Sequence, residues 1–280
     1  MQASLVSALQ LSELGAQVFD CRFSLADRDA GRAAFEGRRI PGAHYADLER
    51  DLSGPIRADT GRHPLPTPDL WLKRMGRYGL RTDTPIVAYD DGAGVFAARF
   101  WWMLSWMGCE QVSLLDGGFH QWTKAGLPME AGEDRRKITP TALMLDADSA
   151  LQVDAGAVHN ALDSDATLIV DAREAIRFSG EQEPLDRKAG CIPGSVNRHF
   201  AQNLSQGVFK SADELKSEFA LLLGDRDPTE VIHSCGSGVT ACHNLFAMEY
   251  AGLHGSRLYS GSWSDWIVDP ARPIEVQYAG

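Results

Sequence analysis

Cysteine is sparse in this chain, and no two cysteines form a C-x-x-C pair. The five are Cys21, Cys109, Cys191, Cys235 and Cys242. Their odd number and wide spacing argue against a zinc site and against a disulfide framework. A reduced, cytoplasmic protein with no metal and no cofactor is the expectation. Long apolar runs are also missing. The longest, VFAARFWWMLSWM, runs from Val95 to Met107 and contains Arg99. It falls short of the roughly 20 residues that span a bilayer, so it reads as a buried helix. The opening residues, MQASLVSALQLSELG, lack the basic start and apolar stretch of a signal peptide. Positive charge is in deficit, with 27 Lys and Arg against 38 Asp and Glu and a formal net charge of -11. That balance argues against nucleic acid or an anionic membrane as partner, but local donors can still hold a small anion.

What is present is a pattern written twice. At an offset of 144 residues, Asp91-Gly92-Ala93-Gly94-Val95 lies over Cys235-Gly236-Ser237-Gly238-Val239. The same offset carries DGGFHQW, from Asp116, onto SGSWSDW, from Ser260. Upstream, VFDCR answers IVDAR and IPGAH answers IPGSV, in the same order. Order and spacing kept together over such a distance indicate an internal duplication.

Each half alternates short apolar runs with helical patterns. Residues 17–20, 86–89 and 112–115 read as strands in the first half, and 168–171, 230–234 and 257–259 in the second. Helices are expected over 68–78, 95–107, 212–223 and 239–250. Ser211 with Glu214 forms a capping box for the third. The fold class is therefore α/β: two tandem domains, each a mainly parallel sheet with helices on both faces. Residues 1–138 form the first domain and 150–280 the second. The polar, proline-punctuated region from about Leu127 to Asp148, which includes GEDRRKITP, separates them, with the linker set at 139–149.

Cys235 follows Val231-Ile232 at the carboxyl end of a strand, where open α/β sheets bind ligands. Gly236 and Gly238 are expected to turn backbone N–H groups toward the sulfur. Val239 and Thr240 open a helix whose N-terminus adds partial positive charge. Such a cup stabilises a thiolate, or an anion carried on it such as a persulfide. The first half keeps the glycines but places Asp91 at the cysteine position, which makes it a structural copy. His233, on the strand before the loop, reads as structural.

The motifs DAREAIRF, IPGSVN, CGSGVT and GSWSDW, with IPGAH, HPLP and DGGFHQW in the first half, resemble the two-domain rhodanese (sulfurtransferase) family over nearly the whole chain. CGSGVT looks most like the loop of 3-mercaptopyruvate sulfurtransferases, whereas thiosulfate-preferring members tend to carry basic residues there. The resemblance implies two rhodanese-like domains and a sulfane sulfur carried as a Cys235 persulfide. The sulfur would pass from a small anionic donor to a thiol, a thioredoxin-like protein or cyanide, and the protein is expected to be a monomer. The resemblance also implies that Arg177 binds the donor carboxylate, for which a planar guanidinium is suited. The family's second arginine aligns with Leu185, and Arg187 stands two residues on as its candidate replacement. A Ser–His–Asp relay falls on Ser237, His63 and Asp47, which would put the active site between the two halves. Three other readings are a thiosulfate sulfurtransferase using the same cysteine, a Cys-dependent phosphatase and a rhodanese-like sulfur-carrier or binding module. The phosphatase expects an arginine at the end of the cysteine loop, and this loop runs Gly, Ser, Gly, Val, Thr.

Overall fold

The computed structural model describes Met1, residues 3–164 and residues 166–278. The chain forms two compact units. One comprises Met1–Gly54, Pro66–Asp148 and Gln206–Phe209; the other comprises Pro55–Leu65, Ser149–Ser205 and Lys210–Gly280.

Both units are built on one plan. In the first, five strands lie in the order Ser4–Val6, Val112–Leu115, Ile86–Tyr89, Gln17–Asp20, His44–Tyr45. In the second the order is Gln152–Val153, Arg257–Tyr259, Val231–Ser234, Leu168–Asp171, Val196–Asn197. Every pairing in both sheets is parallel. The central strands Ile86–Tyr89 and Val231–Ser234 are buried throughout, which is why they read as unbroken apolar runs rather than alternating ones. The two- and three-residue edge strands escape sequence reading because they are too short to show a period. IPGAH and IPGSVN each deliver one, at His44–Tyr45 and Val196–Asn197.

The expected helices form at Pro68–Arg77, Val95–Trp106, Ala212–Leu223 and Thr240–Tyr250. The capping box of Ser211 and Glu214 is present. Helix Val95–Trp106 is almost wholly buried, including Arg99. The duplication extends to buried ion pairs at the strand ends. Arg22 binds Asp20 at 2.6 Å and lies over the Phe119 ring at 4.4 Å. Arg173 binds Asp171 at 2.8 Å and lies over the Trp263 ring at 5.0 Å.

The units differ from the sequence reading in three places, one being Gln206–Phe209, which belongs to the first unit and not the second. The stretch expected to be a linker is bonded to the first unit: Thr141 donates to the Gly76 carbonyl and Asp148 to the Trp106 carbonyl. Residues 55–65, placed in the first domain by chain order, pack with the second unit. Composition cannot reveal such an excursion, because a polar connector looks the same wherever it packs.

His233 lies in the middle of a central strand, is 0% exposed, and neither ring nitrogen has a hydrogen-bond partner. Burial pushes its pKa down from 6.5 to about 3, so the folded ring is neutral. The unfolded chain takes up a proton as pH falls below about 6.5, whereas the native state does not until about 3. Stability should therefore fall by about 1.4 kcal/mol per pH unit across that window. His233→Leu should flatten this part of a stability-against-pH curve from denaturant titrations; an unchanged slope would remove His233 as its source.

Candidate active site

Cys235 is the first residue after strand Val231–Ser234 and is 2% exposed. Its Sγ accepts the Gly238 N–H at 3.1 Å. Gly238 has φ +76°, and a Cβ there would strike the Ser260 carbonyl, so only glycine fits. Gly236 differs from the expectation. Its φ is not positive, and its lack of a side chain serves space: a Cβ would lie 2.9 Å from Arg62 Nη2 and 3.4 Å from Arg177 Nη2. Val239 is the cap of helix Thr240–Tyr250, and the N–H of Cys242 bonds the Val239 carbonyl. The helix thus begins behind the sulfur, with Thr240 as its first residue.

A second turn staples this loop. Trp263 and Ser264 N–H groups bond the carbonyls of Cys235 and Gly236 at 2.9 Å each. The Ser262 Oγ accepts the Cys235 N–H at 3.0 Å, donates to the Tyr259 carbonyl at 2.9 Å, and lies 3.9 Å from Cys235 Sγ. Ser262 has φ +53°, at the position where the first unit has Gly118 with φ +54°. A non-glycine residue in the left-handed region is strained. Sequence reading passed over Ser262 within GSWSDW; the comparison of the two copies, glycine against serine, was the available signal.

His63 Nδ1 and Ser237 Oγ are 2.8 Å apart, and both residues are buried. Because residues 55–65 belong with the second unit, this pair forms within it, not between the halves as expected. Asp47 lies in the first unit, where its Oδ1 accepts the N–H groups of Glu49 and Arg50.

Arg177 lies in the short helix Ala175–Phe178, and its side chain is 15% exposed. It binds Glu183 at 2.7 Å and Asp186 at 3.2 Å. Arg62, overlooked beside His63 in the sequence, is the second guanidinium over Gly236. Arg187 Nη2 instead bonds the Ile267 carbonyl at 3.1 Å. Arg187 lines a cavity of about 390 Å³ with Arg62, Leu185, Asp186 and Ile267. Leu185, the aligned position of the expected arginine, is 45% exposed.

The counterpart loop in the first unit corrects one assignment. Asp90, not Asp91, fills the donor cup: Oδ1 accepts N–H groups of Gly92 and Gly94, and Oδ2 those of Phe96 and Ala97. Asp91 is exposed. Strand pairing agrees, since Asp20 is opposite Tyr89 and Asp171 opposite Ser234, so Asp90 and Cys235 each follow the last paired residue. The first loop is one residue longer before its left-handed glycine, Gly94 with φ +77°. Matching glycine to glycine without a gap therefore shifted the pairing by one.

Among the described residues no group of acidic, histidine and cysteine side chains is arranged to hold a metal ion, and no helix is long and apolar enough to cross a membrane. The Rhodanese-like domain family matches residues 4–125 and 154–269. The chain belongs to the rhodanese family. It is an enzyme of the sulfurtransferase class. Among rhodanese relatives, the "Probable 3-mercaptopyruvate sulfurtransferase" of Pseudomonas aeruginosa is 47% identical over 270 residues, covering 95% of this chain and 94% of that one. The thiosulfate sulfurtransferase of Gallus gallus is 34% identical over 94% of this chain and 93% of its own. The crystal structure of SseA from Escherichia coli, described as a 3-mercaptopyruvate sulfotransferase, superposes with a TM-score of 0.81 at 31% identity. It covers 94% of this chain and 100% of that one. Rhodanese relatives named for both donors thus match along nearly the whole chain.

Proposed function

We propose that this chain transfers sulfur from 3-mercaptopyruvate to a thiol acceptor through a persulfide on Cys235. The Cys235 thiolate attacks the donor sulfur, and an S–S bond forms as the C–S bond breaks. The bonding pair passes to the donor carbon, giving the enolate of pyruvate. The proton released from the transferred sulfur ends on that carbon. Cys235 keeps –S–S⁻, and pyruvate departs. An acceptor thiolate then takes the outer sulfur and restores the Cys235 thiolate.

The observation that carries the choice of donor is the hydrogen bond between His63 and Ser237, in a loop that itself bears no cation. A carbanionic leaving group needs a proton, and a buried Ser–His pair can move one. Sulfite, the leaving group of thiosulfate, departs with its charge and needs none. Asp47 is assigned the orienting role in this relay by the resemblance alone. Arg177 and Arg62 over Gly236 are suited to a carboxylate fork. The Gly238 N–H and the start of helix Thr240–Tyr250 stabilise negative charge on either the thiolate or the persulfide. All five cysteines are buried and none is in a disulfide, which fits a reducing, cytoplasmic setting. A monomer acting on a small thiol, a thioredoxin-like protein or cyanide is the matching proposal for partners.

The test is kcat/KM for the two donors measured side by side. The value with 3-mercaptopyruvate should be the higher; a higher value with thiosulfate would overturn the assignment. Ser237→Ala should lower kcat with 3-mercaptopyruvate by about 10²-fold, the usual scale of general acid–base assistance. The same variant should leave thiosulfate turnover nearly unchanged. Equal losses with both donors would mean that Ser237 supports the loop rather than the proton.

A further inference from the structure

We propose that Asp186 sets the donor selectivity of the Cys235 site, by tying Arg62 to Arg177 and cancelling one positive charge above Gly236. This rests on the reading of those arginines as the clamp for the donor's anionic group. Asp186 Oδ1 accepts Arg62 Nε at 2.9 Å. Its Oδ2 accepts Arg62 Nη2 at 3.1 Å and Arg177 Nη2 at 3.2 Å. The carboxylate is 3% exposed, so it is committed to these partners and not to water. The two guanidinium groups it joins come from segments 115 residues apart in sequence, yet both border the point where a Gly236 side chain would begin. Arg177 Nη1, which belongs to none of these pairs, lies 3.5 Å from that point. The fork is therefore held from behind while a donor atom is left facing the loop.

The charge count follows from the same contacts. Glu183, 2% exposed, pairs with Arg177 and Arg173, and Arg173 pairs with Asp171. Arg62, Arg173 and Arg177 are thus matched one for one by Asp171, Glu183 and Asp186. The ion-paired cluster offers directed N–H groups with no net charge of its own. A monoanionic carboxylate is well served by direction alone. A dianion, taken from water into a partly buried site, needs a field to offset its larger desolvation, and this cluster supplies none. Asp186 therefore acts on selectivity in the same direction as the uncharged loop at Gly236 and Ser237.

The experiment compares wild type, Asp186→Asn and Asp186→Glu with thiosulfate and 3-mercaptopyruvate under one acceptor. Asn keeps the size of the side chain and releases one unit of positive charge. The two donors differ by one charge, and at about 10 Å and an effective dielectric constant of about 20 that is worth on the order of tenfold. The ratio of kcat/KM for thiosulfate over 3-mercaptopyruvate should rise by about that factor in the Asn variant, through the donor KM. Glu keeps the charge, so its ratio should stay near that of wild type. No rise with Asn, or an equal rise with Glu, overturns the proposal, because packing and not charge would then be the cause. A wild-type measurement guards against loss of folding: pyruvate should compete with the donor more strongly than sulfate does, and the reverse order counts against the proposal. The donor assignment fails separately, if wild type prefers thiosulfate while the ratio still moves with Asn.

Discussion

Cys235→Ser is expected to abolish turnover with every donor. A serine hydroxyl can neither accept a sulfane sulfur nor hold it as a reducible S–S bond. The structure adds reasons why Cys21, Cys109 and Cys191 do not substitute. Burial pushes the thiols of Cys109 and Cys191 up to about 11 and raises that of Cys21 well above its ordinary value, so they stay protonated at neutral pH. Cys109→Ser should therefore keep most of the activity. The companion measurement is intact mass after incubation with donor in the absence of acceptor. Wild type and Cys109→Ser should each gain one sulfur atom, and Cys235→Ser none. The same readout separates an enzyme from a rhodanese-like binding module, which would gain nothing. Near-normal turnover in Cys235→Ser would falsify the persulfide mechanism outright.

Arg177→Ala carries the second large effect. Its guanidinium is mostly buried, borders Gly236 and holds two nearly inaccessible carboxylates, Glu183 and Asp186. Truncation would remove the proposed clamp for the donor, with an expected loss of about 2–5 kcal/mol in kcat/KM. It also leaves Glu183 and Asp186 short of a partner, so the thermal midpoint should fall as well. Arg177→Lys separates these effects. Its ammonium can still neutralise the carboxylates and so should recover most of the stability. It cannot present a planar fork, so kcat/KM should recover only in part. Unchanged kcat/KM in a folded Ala variant would dismiss Arg177 from the donor site. Full catalytic recovery with lysine would mean that charge alone is required.

The duplication, the α/β class and the position of Cys235 were all legible in the chain. These depend on local signals: apolar runs of four residues, glycines that mark a turn, and a capping box at Ser211. Such signals act over a few residues and survive without knowledge of what packs where. Pairings within a motif were less secure. Ungapped matching set Asp91 against Cys235, and one extra loop residue made the true counterpart Asp90. Hydrogen bonds to Gly92, Gly94, Phe96 and Ala97 reveal this, but a string of letters does not.

The sequence alone singled out the thiol proposed to carry the chemistry, because a thiol between a buried strand and a glycine turn is a local arrangement. Only the tertiary structure decided what surrounds that thiol. Arg62 reaches Gly236 because residues 55–65 leave the first unit and pack with the second. Arg187, closer in sequence to the expected place, turns instead to the Ile267 carbonyl. Ser262 approaches the sulfur through a left-handed backbone that nothing in its own letter announces. The reason is physical. Strand, turn and helix start follow from interactions between near neighbours, whereas a substrate clamp is assembled by contacts between segments far apart in the chain, and those exist only once the fold has closed.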